Sequence, residues 1–210
     1  MCCIGIWHYV RENRAFTIFI QDHKILGSEA NKKAIRNSAL GIIPGAANAA
    51  TSISPGHLDA RGNRVGGTSV TCWGSLSRYK CEAINDERGW GRWSVRIIKK
   101  QKNMMVQKTC IALASVYCPC ESTTGKNTMW NYQSRMIMDK VPVGQRHTKN
   151  KDGVAVGDPR GQFCADFKRM MRAVSKKHNC HIIVMGDVNI DLNTSSPERV
   201  KLLDWAEGVD

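Results

Sequence analysis

A carboxylate and a carboxamide follow directly on an apolar run late in the chain. The run His181 to Met185 is rich in branched residues and stops at Gly186, after which come Asp187 and Asn189. Such a run predicts a buried strand, and period-two alternation sends Asp187 and Asn189 to the same side of it. An active site could be built there. The alternative is an ordinary turn, because Gly, Asp and Asn are the commonest turn formers, and the stretch taken alone favours that alternative.

Two other predicted strands also end in polar side chains. Phe16 to Ile20 has the composition of a buried strand and is followed at once by Gln21 and Asp22. Met104 to Tyr117 is rich in β-forming residues, and its last residue is the phenol of Tyr117. Apolar residues alternate onto both faces of this second strand, which predicts a central position in a sheet that is covered on both sides.

The elements that must position these tips can be read from periodicity and turn signals. Trp90 to Ile98 and Met104 to Tyr117 predict an antiparallel hairpin whose tip is the polar segment Lys99 to Asn103. A further short strand is predicted at Thr68 to Trp73. The stretch from Gly45 to Gly67 is rich in Gly, Ala, Ser and Asn, which is typical of a long surface loop.

Helices are predicted at four places. Ser28 can cap one that runs to Leu40, and helical spacing predicts a second over Met129 to Ile137. Asp158 can cap a third, with proline at its first position, and Ser195 opens a capping-box pattern for the last. The third carries an apolar stripe that should pack on a sheet: Phe163, Phe167, Met170, Met171 and Val174. Alternating strands, helices and hairpins predict one α/β domain over residues 1–210 with mixed strand directions.

Composition limits the classes of partner and compartment. Lys and Arg number 31 against 18 acidic residues, a formal net charge of +13. An excess this large favours a polyanionic partner, with nucleic acid the leading candidate; the alternative is a basic protein from a basic proteome. The nine cysteines include no CxxC pair and follow no secretory signal, so we expect reduced thiols, mostly buried, in an intracellular and not a secreted protein, with the nucleus as one option. No apolar run reaches the roughly 18 to 20 residues of a membrane helix.

Four motifs stand in an order that is familiar from one superfamily. The chain resembles the endonuclease/exonuclease/phosphatase superfamily, which includes apurinic endonucleases, pancreatic-type deoxyribonuclease and retrotransposon endonucleases, over about residues 15 to 206. The resemblance implies a four-layer α/β sandwich with two packed mixed sheets, and hydrolysis of phosphodiesters or phosphomonoesters with Mg²⁺ or Mn²⁺. The motifs that carry it are Gln21-Asp22-His23, Gly89-Trp90-Gly91-Arg92-Trp93, Val116-Tyr117-Cys118-Pro119 and Gly186-Asp187-Val188-Asn189.

The resemblance also implies a role for each strand-tip residue. Asp22 stands where the family has a metal-binding Glu, and it is shorter by one methylene. Tyr117 matches a tyrosine that hydrogen-bonds the scissile phosphate. Asp187 matches the carboxylate that orients or deprotonates the attacking water, and Asn189 matches the amide that steadies the phosphate oxygens. Near the hairpin, four basic residues are candidate nucleic-acid contacts, although a solvated hairpin is the simpler interpretation for each: Arg92, Lys99, Lys100 and Lys102.

Two family elements have no counterpart in the sequence: an N-terminal strand that ends in a metal-site Asn, and a closing Ser-Asp-His motif. We therefore expect a domain that is incomplete at both its N- and C-termini, with weak or no endonuclease activity, since the missing His normally engages the phosphate. Two alternatives stay open. One is a non-catalytic nucleic-acid-binding remnant of a mobile-element polyprotein, and the other is a phosphomonoesterase of the same superfamily. DNA is the partner that we expect.

Overall fold

The structure is a computed structural model that describes residues 17–21, 49–54, 56–58, 64–73, 76–77, 79–99, 110–121, 128–140 and 157–189, with Ala30, Lys33, Ala34 and Asn37. Its strands are β1 (Thr17–Gln21), β2 (Ala49–Ser54), β3 (His57–Leu58), β4 (Arg64–Val65), β5 (Thr68–Trp73), β6 (Lys80–Asn85), β7 (Trp93–Lys99), β8 (Cys110–Tyr117) and β9 (His181–Asp187). Its helices are α1 (Met129–Asp139) and α2 (Pro159–His178).

Four strands form the sheet that carries the C-terminal strand tips, in the order β6-β7-β8-β9. β7 pairs with β6 and β8 antiparallel, whereas β8 and β9 are parallel. The predicted hairpin and the mixed strand directions are therefore confirmed. The turn from β6 to β7 lies at the same edge of the sheet as the ends of β8 and β9, and we call this edge the tip edge.

The helix α2 covers one face of this sheet. Its N-cap is Asp158, whose carboxylate accepts a hydrogen bond from the Arg160 N–H at 3.0 Å, and Pro159 follows in the first turn. The predicted apolar stripe is buried against alternate residues of β7 and β8, including Val95 and Ala114. Three aromatic rings meet at the centre of this core, where Phe163 and Phe167 stack with their centroids 5.4 Å apart beside Trp93.

A second sheet, in the order β1-β5-β2, packs on the other face of the four-stranded sheet. Val70 and Cys72 of β5 are fully buried against Ile98 of β7 and Leu113 of β8. The α/β class with two packed sheets is thus confirmed. The central position of β8 is confirmed as well, since β8 lies between two strands and has a helix on one face and a sheet on the other.

The prediction of a long loop from Gly45 to Gly67 is wrong, because β2, β3 and β4 lie within it. β2 pairs with β5 along its whole length, for example Thr51 with Thr71. Its small side chains give no clear alternation, and the strand is specified by the partner that it pairs with. Strand β6 was not anticipated either, because charged and polar residues occupy half of its positions.

The helix predicted over Met129 to Ile137 is confirmed, and its N-cap Thr128 accepts a hydrogen bond from the Asn131 N–H at 3.2 Å. In the helix predicted from Ser28, the four residues that are described are helical and exposed. The helix predicted from Ser195 lies outside the described residues. No helix in the described ranges is long and apolar enough to cross a membrane.

Candidate active site

The phenol and the carboxylate identified in the sequence meet at the tip edge. Tyr117 and Asp187 are partners in the parallel register of β8 and β9. Strand alternation puts both on the face that carries Leu113, which is the face turned toward the three-stranded sheet. Asp187 is exposed, and so is Met185, its neighbour on that face, at 53%. The carboxylate of Asp187 is therefore open to solvent and to a ligand, while Tyr117 beside it is half-buried.

Gly186 brings β9 close enough to β8 for this pairing. A Cβ built on Gly186 would lie 2.0 Å from the carbonyl oxygen of Val116 and 2.8 Å from its backbone N and C. These are backbone atoms in the middle of a ladder and cannot rotate away. The ladder continues beyond the strands, because the Cys118 N–H donates to the Asp187 carbonyl at 2.8 Å. Only glycine fits at this position.

Asn189 is fixed beside the pair by a turn and not by strand alternation. Its backbone is left-handed, with φ of 49°, and its N–H donates to Asp187 Oδ1 at 3.0 Å. The side-chain amide donates from Nδ2 to the Cys118 carbonyl at 2.7 Å, and Oδ1 accepts from the Cys120 thiol at 2.9 Å. The turn that ends β9 therefore also holds the Asn189 amide beside Asp187. One hydrogen of Nδ2 remains for a phosphate oxygen.

Strand β1 ends next to the same face of β8. Gln21 Nε2 donates to Ser115 Oγ at 2.9 Å, and Ser115 Oγ donates to the Ile20 carbonyl at 3.2 Å. Ser115 lies two residues before Tyr117 and shares its face. Asp22, which follows Gln21 in the chain, lies outside the described residues, so its metal-binding role stays a prediction.

Arg92 is not available to a nucleic acid, and the prediction of a contact there is corrected. Its side chain is completely buried, with Nε and Nη2 donating to the two carboxylate oxygens of Asp86 at 2.8 Å each. Nη2 also donates to Asp166 at 3.0 Å. The guanidinium carbon lies 4.8 Å and 4.3 Å from the ring centroids of Trp90 and Trp93. The guanidinium has no exposed surface, so a phosphate could not contact it without movement of the surrounding side chains.

Asp166 of α2 completes this ion cluster. Arg88 donates to it from Nε at 2.5 Å, Gln162 donates at 2.9 Å, and Arg169 donates as well. Burial raises the pKa of Asp166, but the hydrogen bond from Arg88 and the charges of Arg92 and Arg88 outweigh burial and hold the pKa below its ordinary value. The carboxylate is therefore ionised and structural. No sequence pattern marked it, since 74 residues separate it from Arg92.

The ion cluster is linked to the end of β8 by a backbone hydrogen bond. The Arg92 carbonyl accepts a hydrogen bond from the Tyr117 N–H at 2.7 Å, so the turn that Arg92 anchors also holds the end of β8. A cleft of about 240 Å³ opens between Arg88 and Arg169, beside this cluster. Neither Tyr117 nor Asp187 lines it, and its arginines are already paired with Asp166. We therefore locate the candidate chemistry at the strand tips and not in this cleft.

Lys99, another predicted nucleic-acid contact, lies at the opposite end of the sheet. Lys99 is 39% exposed and donates to Glu82 at 3.2 Å, while Lys177 of α2 donates to the same carboxylate at 2.8 Å. The hydrogen bonds from Lys177 and Lys99 lower the pKa of Glu82 to about 2. Lys99 is thus partly engaged. Lys100 and Lys102 lie outside the described residues, so their contacts stay predictions.

His178 and His181 also belong to the far end of the sheet. His181 begins β9 and Asp187 ends it, so a seven-residue strand separates them by about 20 Å. His178 packs near Glu82, with Nε2 at 3.5 Å from the carboxylate, and burial lowers its pKa. Neither histidine can act on a phosphate bound between Tyr117 and Asp187.

The described cysteines are free thiols and most are buried, as predicted. Burial raises the pKa of Cys118 well above its ordinary value, so this thiol is unreactive. No group of three or more metal-binding His, Cys, Asp or Glu side chains occurs among the residues that the structure describes. At the tip edge these residues offer one carboxylate, a phenol and an amide. This set fits Mg²⁺, which keeps several waters and commonly takes one or two carboxylates plus substrate phosphate.

The chain matches no protein-family model, no curated protein and no solved structure.

Proposed function

We propose that this chain is a metal-dependent phosphodiester hydrolase of the endonuclease type that acts on nucleic acid. The observation that carries the proposal is the pairing of Tyr117 with Asp187 across β8 and β9, with Asn189 fixed beside them. The strand register thereby supports a site in which a carboxylate, a phenol and an amide act together at the ends of β8 and β9.

Asp187 is the residue that we expect to activate water. Its carboxylate is exposed and accepts only the Asn189 N–H in the described structure, which leaves lone pairs for a water molecule and for a cation. The water attacks phosphorus, its proton passes to the carboxylate, and the bond from phosphorus to the leaving oxygen breaks. A bound Mg²⁺ or Mn²⁺ would offset the negative charge that develops on the phosphate.

Tyr117 and Asn189 are the residues that we expect to hold the phosphate. The phenol O–H and the second Nδ2 hydrogen can each donate to a non-bridging oxygen. The hydrogen bonds of Asn189 to Cys118 and Cys120 keep its amide in one orientation, so little reorganisation is needed as charge builds up. Neither His178 nor His181 can assist the leaving group, because both lie at the other end of β9.

The choice of a nucleic-acid substrate rests on charge. A formal net charge of +13 favours a polyanion over a small phosphomonoester, since lysine and arginine supply sequence-independent phosphate contacts. The exposed position of Asp187 agrees with a long substrate that crosses the sheet edge.

Nicking of supercoiled plasmid DNA tests the proposal. The wild-type protein should nick the plasmid in Mg²⁺, and nicking should stop when EDTA is added. Asp187→Ala should lower the rate by about 10²- to 10⁴-fold, as expected for loss of a general base. The matched control is Asp139→Ala, which removes an exposed carboxylate at the end of α1 and should nick at the wild-type rate.

Two results would contradict the proposal in different ways. Hydrolysis of p-nitrophenyl phosphate without any nicking would identify a phosphomonoesterase. Salt-sensitive binding to the plasmid, with no nicking in either Mg²⁺ or Mn²⁺, would identify a non-catalytic nucleic-acid-binding protein.

A further inference from the structure

The outer surface of α2 is basic along its length. The one acidic residue of the helix, Asp166, is 4% exposed and is already paired with arginines. The apolar residues of the helix are buried against the four-stranded sheet. The basic residues of α2 are Arg160, Lys168, Arg169, Arg172, Lys176, Lys177 and His178.

Three of these residues form a row, which we call the basic row: Lys168, Arg172 and Lys176. They follow one another at four-residue intervals, so they lie on one side of the helix about 6 Å apart. Arg172 and Lys176 are exposed and Lys168 is half-buried. Within the described part of the chain, none of the three makes an ion pair. Like charges at this spacing repel one another, so the basic row does not serve the stability of the helix.

The neighbouring basic residues of α2 behave differently. Arg169 is bound to Asp166, and Lys177 is bound to Glu82 at 2.8 Å. Both tie the helix to the sheet. The charge of the basic row is therefore surplus to the ion pairs that hold α2 in place, and it remains available to an outside ligand.

The basic row runs along the helix toward the tip edge. Asn179 ends α2 in a left-handed conformation, and β9 begins two residues later, so the helix and β9 run in opposite directions. The N-terminal part of α2 consequently lies at the edge where β9 ends. The ion pairs from Asp166 to Arg88 and Arg92 of the β6–β7 turn agree with this direction.

We propose that the basic row is a second contact surface for nucleic acid, which binds the phosphate backbone where the duplex passes around the tip edge, from the strand tips to the opposite face of the sheet that α2 covers. The inference rests on the proposed function for its choice of nucleic acid as ligand. Each of the three side chains would neutralise one phosphate without reading sequence. A nucleic acid fits better than an anionic membrane, because the large apolar residues of α2 are buried and leave none on the outer face to insert into a bilayer.

Fluorescence anisotropy with a labelled DNA duplex tests this surface, in EDTA so that no hydrolysis can occur. The charge-neutral triple variant Lys168→Gln, Arg172→Gln, Lys176→Gln should bind at least about tenfold more weakly at low salt. Its plot of log affinity against log salt should be shallower by up to about 2.7, at roughly 0.9 for each lost phosphate contact. The charge-keeping variant Lys168→Arg, Arg172→Lys, Lys176→Arg should bind like wild type, which separates loss of charge from loss of folding.

A control triple variant removes the same charge elsewhere. Lys33, Arg135 and Lys140 are exposed, and their change to Gln should leave both affinity and salt slope near the wild-type values. Equal weakening in the control would overturn the inference, because net charge alone would then explain binding. The inference would also be overturned if the basic-row variant bound the duplex with wild-type affinity and salt slope. The inference would also be overturned if wild-type protein bound phosphatidylserine vesicles but not the duplex, and if the basic-row variant lost that vesicle binding.

The inference and the proposed function can fail separately. If no protein nicks DNA, but the basic-row variant binds the duplex more weakly than wild type and the control triple variant does not, the hydrolase proposal fails while the binding surface stands. If the triple variant nicks and binds as wild type does, the binding surface fails while the hydrolase proposal stands.

Discussion

At the scale of single residues, the strand-tip geometry depends most narrowly on Gly186. Its missing side chain lets β9 lie against the backbone of Val116, and this contact sets the position of Asp187 one residue later. The hydrogen bonds of Asn189 then hold the end of the strand in a turn. A substitution at Gly186 should therefore disturb both stability and the candidate chemistry.

We expect Gly186→Ala to lower the free energy of unfolding by about 3 kcal/mol, the upper end of the range for overpacking, because the new methyl group would overlap the Val116 backbone and the two strands would have to separate. Urea denaturation measures the loss. Gly89→Ala is the control: Gly89 has φ of 70° but open space around it, so only backbone strain of about 1–2 kcal/mol should appear. Equal losses for the two variants would contradict the close-approach argument.

Residue types at strand ends were accessible from sequence, and their final orientation was not. The apolar run before Gly186 predicted the strand, and its parallel partner puts Tyr117 opposite Asp187. Alternation predicted that Asn189 would share the side of Asp187 as a continuing strand. The positive φ of Asn189 ends the strand instead. This conformation is held by a hydrogen bond to the carbonyl of Cys118, a residue distant in sequence, so the pattern of residues around Asn189 could not predict it.

At the scale of elements, the turn from β6 to β7 is joined to α2 by buried charges. Arg92 is bound by Asp86 within the turn and by Asp166 from the helix, and its carbonyl holds the Tyr117 N–H. Removing a partner from a buried ion pair leaves an uncompensated charge, which costs far more than the pair contributes. This cluster is accordingly the place where a conservative change should have a large effect.

We expect Asp86→Asn to lower the free energy of unfolding by about 3 kcal/mol, since it removes the charge of the bidentate partner and leaves the buried guanidinium of Arg92 to Asp166, which other arginines share. Arg169→Gln removes a partner from the same cluster at a side chain that is 63% exposed, and should cost less than about 1 kcal/mol. Chemical denaturation of both variants checks the contrast. Similar small losses for both would show that the buried pairs do not stabilise the turn.

Periodicity identified the elements with strong local signals and missed those specified by pairing. The apolar stripe of α2, its Asp158 cap and the hairpin of β7 and β8 were all predicted. β2 and β6 were missed because short strands with small or polar residues have no signal apart from their partners. The Gly-Trp-Gly-Arg-Trp motif contains Arg92, but its role depends on buried ion pairs with Asp86 of the same turn and with Asp166 of α2.

At the scale of the whole molecule, the chain has a formal net charge of +13. The described part consists of two packed sheets and a helix that covers one of them. Part of the basic charge is used internally, as at Arg92 and Arg88. The basic row on α2 is not, and it runs toward the edge at which Tyr117 and Asp187 meet. Composition predicted the excess of charge, but only the fold distinguishes the charges that stabilise the protein from those that remain for a ligand.

The most direct test of the account is Mn²⁺ binding, measured by the electron paramagnetic resonance signal of the free ion during titration. If Asp187 forms the cation site beside Tyr117, the wild-type protein should remove Mn²⁺ from solution and Asp187→Ala should bind it at least about tenfold more weakly. Glu87→Ala, which removes an exposed carboxylate in the β6–β7 turn, should bind as wild type does. Unchanged Mn²⁺ affinity in Asp187→Ala would contradict the assignment of this strand tip as a metal-dependent hydrolase site.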